Sequence, residues 1–338
     1  MNIAVIRFSS LGDVALTSPV VSSILNNNKE VNIWLVTNPN FISLFKKNDR
    51  LHFINTDLYK KHKGVFGLHK LVVEITNETK IDVVVDLHDV LRTKLIRFFF
   101  KLKGVKTITF NKGRKEKKKL LTGEIPFQPL PHITKRYSKA FATIVKDISI
   151  NKEFKLLNTI NPPIQLDMHT STIGIAPYAA HKSKEWGNEK IDALIKSLSN
   201  KNILLLGGKN EIKELESIEK KYKHCKSIAG KYNLGEELKI IANLSLIICM
   251  DSANMHLASL TQTPVISIWG PTHHYLGFGP LNDTENIVEI PKEKMPCRPC
   301  SIYGKVKSND QKECAKKSME KITVQEVLDK VDQIINAH

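Results

Sequence analysis

The chain has 338 residues, enough for roughly two domains of ordinary size. Hydrophobic residues make up 41% and charged residues 25%, a globular balance that excludes wholesale disorder. Lysine and arginine number 51 against 34 acidic residues, and the net charge of +17 favours polyanions: nucleic acid, anionic lipid or phosphorylated sugars.

In chain order, Met1 leads almost directly into the apolar run Ile3-Ala4-Val5-Ile6. It has neither the basic start nor the long apolar core of a secretory signal. No stretch approaches the ~18 apolar residues of a membrane span; Leu95–Leu102 (LIRFFFKL) is short and carries charge. Five cysteines, an odd number without a signal, predict reduced thiols in the cytoplasm rather than a disulfide scaffold.

Short runs rich in Val and Ile predict strands at Asn2–Arg7, Val31–Thr37, Asp82–Asp86 and Thr107–Phe110. A second set falls at Ile173–Ala176, Asn202–Leu206, Leu246–Met250 and Pro264–Trp269. These runs do not alternate, which is how strands buried on both faces of a parallel sheet read. Helical patterns at Glu189–Ser199, Glu211–Tyr222 and Leu234–Ala242 intervene. The alternation predicts an α/β chain with helices on both sheet faces. Asn161-Pro162-Pro163 interrupts it, because proline cannot continue a helix. This predicts a linker at 160–168 between a domain over 1–162 and another over 163–338. Lys112–Lys119 (KGRKEKKK) reads as an exposed basic loop.

Three segments carry candidate chemistry. Ser9-Ser10-Leu11-Gly12-Asp13 lies where the first strand ends, and in open α/β sheets ligands bind at such carboxyl ends. Asp13 is there either a ligand-facing carboxylate or a helix cap. Its glycine spacing is not that of a nicotinamide-binding turn. After Ile173–Ala176, the segment Pro177–Trp186 offers Lys182 and Lys184 to a phosphate, or is a solvated basic loop. After Leu246–Met250, Asp251-Ser252-Ala253 opens a helix whose N-terminus attracts phosphate, or Asp251 and Ser252 merely cap it with His256 in the core. Gly270-Pro271-Thr272 ends the next strand. Cys297-x-x-Cys300 with Cys314 is part of a zinc-like pattern without an obvious fourth ligand; reduced structural thiols are the expectation.

The ordered set Ser9–Asp13, Lys184-x-Trp186, Asp251-Ser252-x-x-Met255-His256-Leu257-Ala258 and Gly270-Pro271-Thr272 resembles glycosyltransferase family 9, the ADP-heptose:lipopolysaccharide heptosyltransferases. The resemblance spans essentially the whole chain. It implies a GT-B fold of two Rossmann-like, doubly wound domains facing across a cleft, with the last helix able to pack back on the N-terminal domain. It implies inverting, metal-independent sugar transfer with no cofactor, the nucleotide-sugar being a substrate. Asp13 would be the general base. Lys184, Asp251, Ser252, Ala253 and His256 would hold the donor phosphates. Glu211, Tyr232 and Leu234 would hold the nucleoside, and Ser9, Ser10, His132 and Arg136 the acceptor. The expected partners are a nucleotide-sugar and an anionic glycolipid at the inner membrane surface. Where the family has Gly after the Asp-Ser pair, this chain has Ala253. The rival class, a basic nucleic-acid-binding protein, has only the charge in its favour, since aromatics are 7% and no reader motif is present.

Overall fold

The structure, a computed structural model, describes residues 1–150, 154–157, 161–165, 171–282 and 284–336. The linker expected at 160–168 lies partly outside the described residues. Two compact units emerge: Met1–Lys112 with Ile133–Leu156, and Gly113–His132 with Leu157–His338.

In chain order the first part runs β1 (Asn2–Ile6), α1 (Leu11–Ala15), α2 (Ser18–Asn27), β2 (Asn32–Thr37), β3 (Leu51–Asn55), α3 (Gly64–Glu78), β4 (Val83–Asp86), α4 (Leu91–Leu102) and β5 (Lys106–Thr109). Then come α5 (Arg114–Thr122), which belongs to the second unit, and α6 (Ile133–Phe141), which belongs to the first. The first sheet is parallel, in the order β3-β2-β1-β4-β5. Ala4, Ile6, Val36 and Val84 of its strands pack against Leu68, Leu71, Val72 and Ile75 of α3 and Ile96 and Phe100 of α4.

The second unit continues with β6 (Thr172–Ala176), α7 (Asn188–Ser197), β7 (Asn202–Leu205), α8 (Ile212–Lys221), β8 (Cys225–Ser227), α9 (Leu234–Ile241), β9 (Leu246–Met250), α10 (Ala253–Thr261), β10 (Val265–Trp269), β11 (Ile287–Glu289), α11 (Asn309–Lys321) and α12 (Val324–Asn336). Its sheet is also parallel, ordered β11-β10-β9-β6-β7-β8. Both sheets are doubly wound. Strand order reverses between β1 and β4 in one and between β6 and β9 in the other, and crevices open at such switch points.

Every strand expected from sequence is present to within a residue or two. The three that were missed, β3, β8 and β11, are all sheet edges. An edge strand lacks a neighbour on one side and need not carry a continuous apolar run; β8 reads only Cys-Lys-Ser, whereas the fourth edge, β5, was found.

The basic run is a helix, not a loop. Lysine is a good helix former, and left-handed Gly113 and Gly123 bound α5. Lys117 and Leu120 turn inward, and the Lys117 ammonium lies 3.9 Å from the centroid of the Phe278 ring. Phe127 packs edge-on against His273, and Leu130 N–H donates to Tyr275 O. These contacts place 113–132 in the second unit, although the sequence reading puts it in the first domain. Likewise α12, expected to be free to pack back on the N-terminal domain, contributes Val327, Val331 and Ile334 to the core shared with Ile191 and Leu194 of α7. Among the described residues no helix is long and apolar enough to cross a membrane.

Candidate active site

Arg7 follows β1 directly. Its buried guanidinium donates to Leu87 O and pairs with the Asp13 carboxylate. Asp13 lies inside the first turn of α1, whose N-cap is Ser10. The Ser10 hydroxyl donates to Asp13 Oδ2 at 2.9 Å. Asp13 is therefore not the cap. It is a carboxylate held by two donors at the carboxyl end of the central strand. Ser9 and Ser10 are exposed beside it.

Across the switch point, Asp86 at the end of β4 is fully buried. Its Oδ1 accepts from the His88 and Asp89 amides at 2.8 and 2.9 Å, and its Oδ2 meets Arg97 Nε at 3.1 Å. The next residues present His88 edge-on to Phe8. Burial, reinforced by Arg7 and Lys112, pulls the His88 imidazole down to about 4. In the unfolded chain it takes up a proton near 6.5. Between those values the unfolded state binds more protons, so the His88 contribution is intact above pH ~6.5 and is lost as pH falls towards ~4. His88→Gln is expected to flatten that part of the pH–stability curve in urea titrations; equal slopes in the two proteins would show that His88 charges freely when folded.

The expected acceptor residues His132 and Arg136 flank the start of α6, where the division between the two units falls. Arg136 is buried on α6 of the first unit. His132 belongs to the second, its Nε2 lying 3.0 Å from Gly279 O.

In the second unit the ends of β6 and β9 meet at Lys184. Its Nζ is 2.6 Å from Asp251 Oδ2 and 3.2 Å from Asp251 O. Thr272 donates to the same Oδ2 at 2.7 Å. Asp251 therefore does not cap α10; its carboxylate is engaged by Lys184 and Thr272. Ser252 is the N-cap of α10 by backbone conformation, yet its buried Oγ has no partner among the described residues. Ala253 opens α10 and is not among the residues of positive φ, so its methyl is accommodated. His256 is buried on α10. Glu211 folds back to accept from Gly208 N–H at 2.5 Å. Tyr232 and Leu234, both half-buried, flank Asn233, the N-cap of α9. On the first turn of that helix burial pushes the Glu237 carboxyl up to about 7, a perturbed group that no motif signalled.

The scaffold beneath this cluster was not legible in the sequence. Arg298 is fully buried and donates to Gly270 O at 2.5 Å, to Trp269 O and Thr272 O at 3.0 Å each, and to Ile290 O. It also pairs with Glu289 at 3.1 Å. The Cys300 and Ser301 amides both donate to Pro271 O at 3.0 Å. The Gly270–Thr272 turn, which presents Thr272 to Asp251, thus hangs on residues 298–301. Gly304, at φ +92°, leaves space for Lys184, because a Cβ there would collide with the lysine stem, 2.9 Å from its Cγ. Only a side chain would reveal such a need, and glycine has none.

Cys297 and Cys314 form a disulfide, contrary to the expected reduced thiols, and Cys300 is a buried thiol. The pair ties the 297–301 segment to α11. Two of the three zinc-like ligands are engaged with each other. His273, His274 and Glu289 also cluster. There, however, His273 Nδ1 accepts from Tyr275 N–H at 3.1 Å, which leaves its proton on Nε2, 3.1 Å from Glu289 Oε1. Burial lowers the His273 imidazole, against the opposing pull of Glu289. Glu289 is held well below the usual carboxylate range, although its burial alone would raise it, by these histidines and Arg298. The donor set is engaged in propping the turn.

Two Rossmann-like units, each with charged and hydroxyl side chains gathered at its strand ends, define a chain of the GT-B class. Residues 70–306 match glycosyltransferase family 9 (heptosyltransferase), and the chain belongs to that family. It is 22% identical over 306 residues to the lipopolysaccharide core heptosyltransferase OpsX of Haemophilus influenzae, covering 86% of this chain and 85% of that one. The crystal structure of a family 9 glycosyltransferase from Veillonella parvula superposes with a TM-score of 0.76 at 17% identity, covering 100% and 98% of the two chains. The ADP-heptose lipopolysaccharide heptosyltransferase II of Escherichia coli does so at 0.69 and 16%, covering 100% and 99%. At these identities the solved structures speak for the fold.

Proposed function

We propose that this glycosyltransferase moves a heptose from ADP-heptose to the core of a lipopolysaccharide, with inversion and without a metal, at the cytoplasmic face of the inner membrane. The observation that carries the reading is the cradle at the end of β6 and β9: Lys184 on Asp251, with the Ser252 hydroxyl and the α10 N-terminus beside it. A nucleoside diphosphate leaving group develops negative charge, and a fixed ammonium with aligned amides stabilises it without reorganising. Lys184 supplies there the positive charge that a metal would otherwise bring. The names of the relatives supply the sugar, donor and acceptor.

In the step proposed, Asp13 takes the proton of the acceptor hydroxyl. The acceptor oxygen bonds to the anomeric carbon as the bond from that carbon to the diphosphate oxygen breaks on the opposite face. The proton resides on Asp13, the electron pair on the departing ADP, and the anomeric configuration is inverted. Arg7 and Ser10 fix the carboxylate for this approach.

The test is a donor panel, ADP-heptose beside UDP-, GDP- and other ADP-sugars, with released nucleoside diphosphate as readout and EDTA present. Turnover confined to ADP-heptose is expected. Preference for another nucleotide would overturn the donor, and abolition by EDTA with rescue by magnesium would overturn the metal-free step. Lys184→Gln is expected to weaken ADP binding about 10–100-fold in calorimetry, since a charged hydrogen bond is lost and Asp251 is left to repel the phosphates. Unchanged ADP affinity would make Lys184 a structural partner of Asp251 only.

A further inference from the structure

On α4 the buried Thr93, Ile96 and Phe100 share one side and pack inward. On the opposite side Leu91, Lys94, Phe98, Lys101 and Leu102 form a continuous exposed stripe, at the i, i+3, i+7, i+10, i+11 spacing of one helix face. Leu91, Phe98 and Leu102 are 77%, 54% and 70% exposed. Phe66, on α3, is 92% exposed. It lies one turn before His69, whose ring packs 5.1 Å from that of Phe99 on α4, so the two helices form one surface. No Asp or Glu occurs from Val90 to Lys115, while Arg92, Lys94, Lys101, Lys103 and Lys106 do. Large apolar side chains set singly on a surface need no explanation; a row of them interleaved with lysines on one helix does.

We propose that the outward face of α3 and α4 docks this enzyme on an anionic lipid bilayer, with Leu91, Phe98, Leu102 and Phe66 entering the interface and the flanking lysines meeting lipid phosphates. The charge pattern selects this occupant. A basic helix with an apolar stripe gains from both parts of a bilayer surface. A second copy seated on the same face would set lysines against lysines. A nucleic acid would use the lysines and stack on Phe98 and Phe66, but it would leave Leu91 and Leu102 exposed to water, whereas a bilayer buries all four. The inference rests on the reading above for its choice of a glycolipid-bearing membrane.

The experiment is co-sedimentation of the full chain with vesicles of phosphatidylcholine alone or mixed with phosphatidylglycerol, alongside ADP release with a soluble acceptor. The protein is expected to bind the mixed vesicles, and binding should collapse near 1 M salt, where the Debye length is about 3 Å. Lys94→Gln with Lys101→Gln should lower binding about fivefold for each lysine. Leu91→Ser, Phe98→Ser and Leu102→Ser together should lower it at least about tenfold. Lys115→Gln, Lys118→Gln and Lys119→Gln together should leave it near that of the parent. Equal binding to neutral and anionic vesicles, no binding to either, or parent-like binding by the serine variant would overturn the proposal. So would a concentration-dependent dimer that the serine variant abolishes, or loss confined to the α5 variant. Turnover in solution without vesicle binding would sink the docking surface alone; vesicle binding without turnover on any donor would sink the functional reading instead.

Discussion

Asp13→Asn is expected to fold, to bind donor as the parent does, and to turn over about 10²–10⁴-fold more slowly. That is roughly 2.7–5.4 kcal/mol of barrier at about 1.4 kcal/mol per tenfold. The substitution is informative because of what holds the side chain. Ser10 Oγ–H and Arg7 both reach the carboxylate, and an amide oxygen still accepts from them. The Arg7 guanidinium loses a counter-charge but keeps Leu87 O. The cost in stability should therefore stay at about 1–3 kcal/mol. A purely structural Asp13 would show that stability loss with near-normal single-turnover rates once the protein is folded. Such a result would remove Asp13 from the mechanism and turn attention to His88, after the neighbouring strand β4. Asp86 could not take over, being fully buried and engaged by two amides and Arg97.

Arg298→Ala should lower the free energy of unfolding by about 3–5 kcal/mol. The guanidinium is completely buried, and removing it takes away the partner of Glu289 Oε2 and of four backbone carbonyls. Arg298→Lys should recover little, because an ammonium has three donors and no planar fork to reach carbonyls on several sides. The loss should propagate. Arg298 holds Thr272 O, Thr272 holds Asp251, and Asp251 holds Lys184. ADP affinity, measured well below the melting temperature of the variant, should therefore fall about tenfold. Urea denaturation reads the first effect and calorimetry the second. A stability loss below about 1 kcal/mol would show that the turn stands without Arg298. A large loss with unchanged ADP affinity would confine Arg298 to the core.

Some of this was legible locally. Asp13 and Asp251-Ser252 stand directly after strands that announce themselves, so strand-end logic finds them without knowing any contact. Lys184 was visible as a residue type in a suitable place, but its partner 67 residues away was not. Helix capping, an open alternative for Asp13 and Asp251, was decided by geometry: Ser10 and Ser252 hold the cap positions, which leaves the two carboxylates to Arg7 and to Lys184.

By itself the sequence determined the two parallel α/β sheets and the loops that carry their chemistry. A strand buried on both faces must be apolar throughout, and the polar residues that follow it must lie at its end. Only the tertiary structure decided the edge strands β3, β8 and β11, the helix at 114–122, the allegiance of 113–132, the Cys297–Cys314 pair, and the roles of Arg298 and Gly304. Each of these depends on partners distant in the chain. A buried arginine reads as a surface charge until the carbonyls around it are known, and a glycine shows its purpose only when another side chain fills the space it leaves.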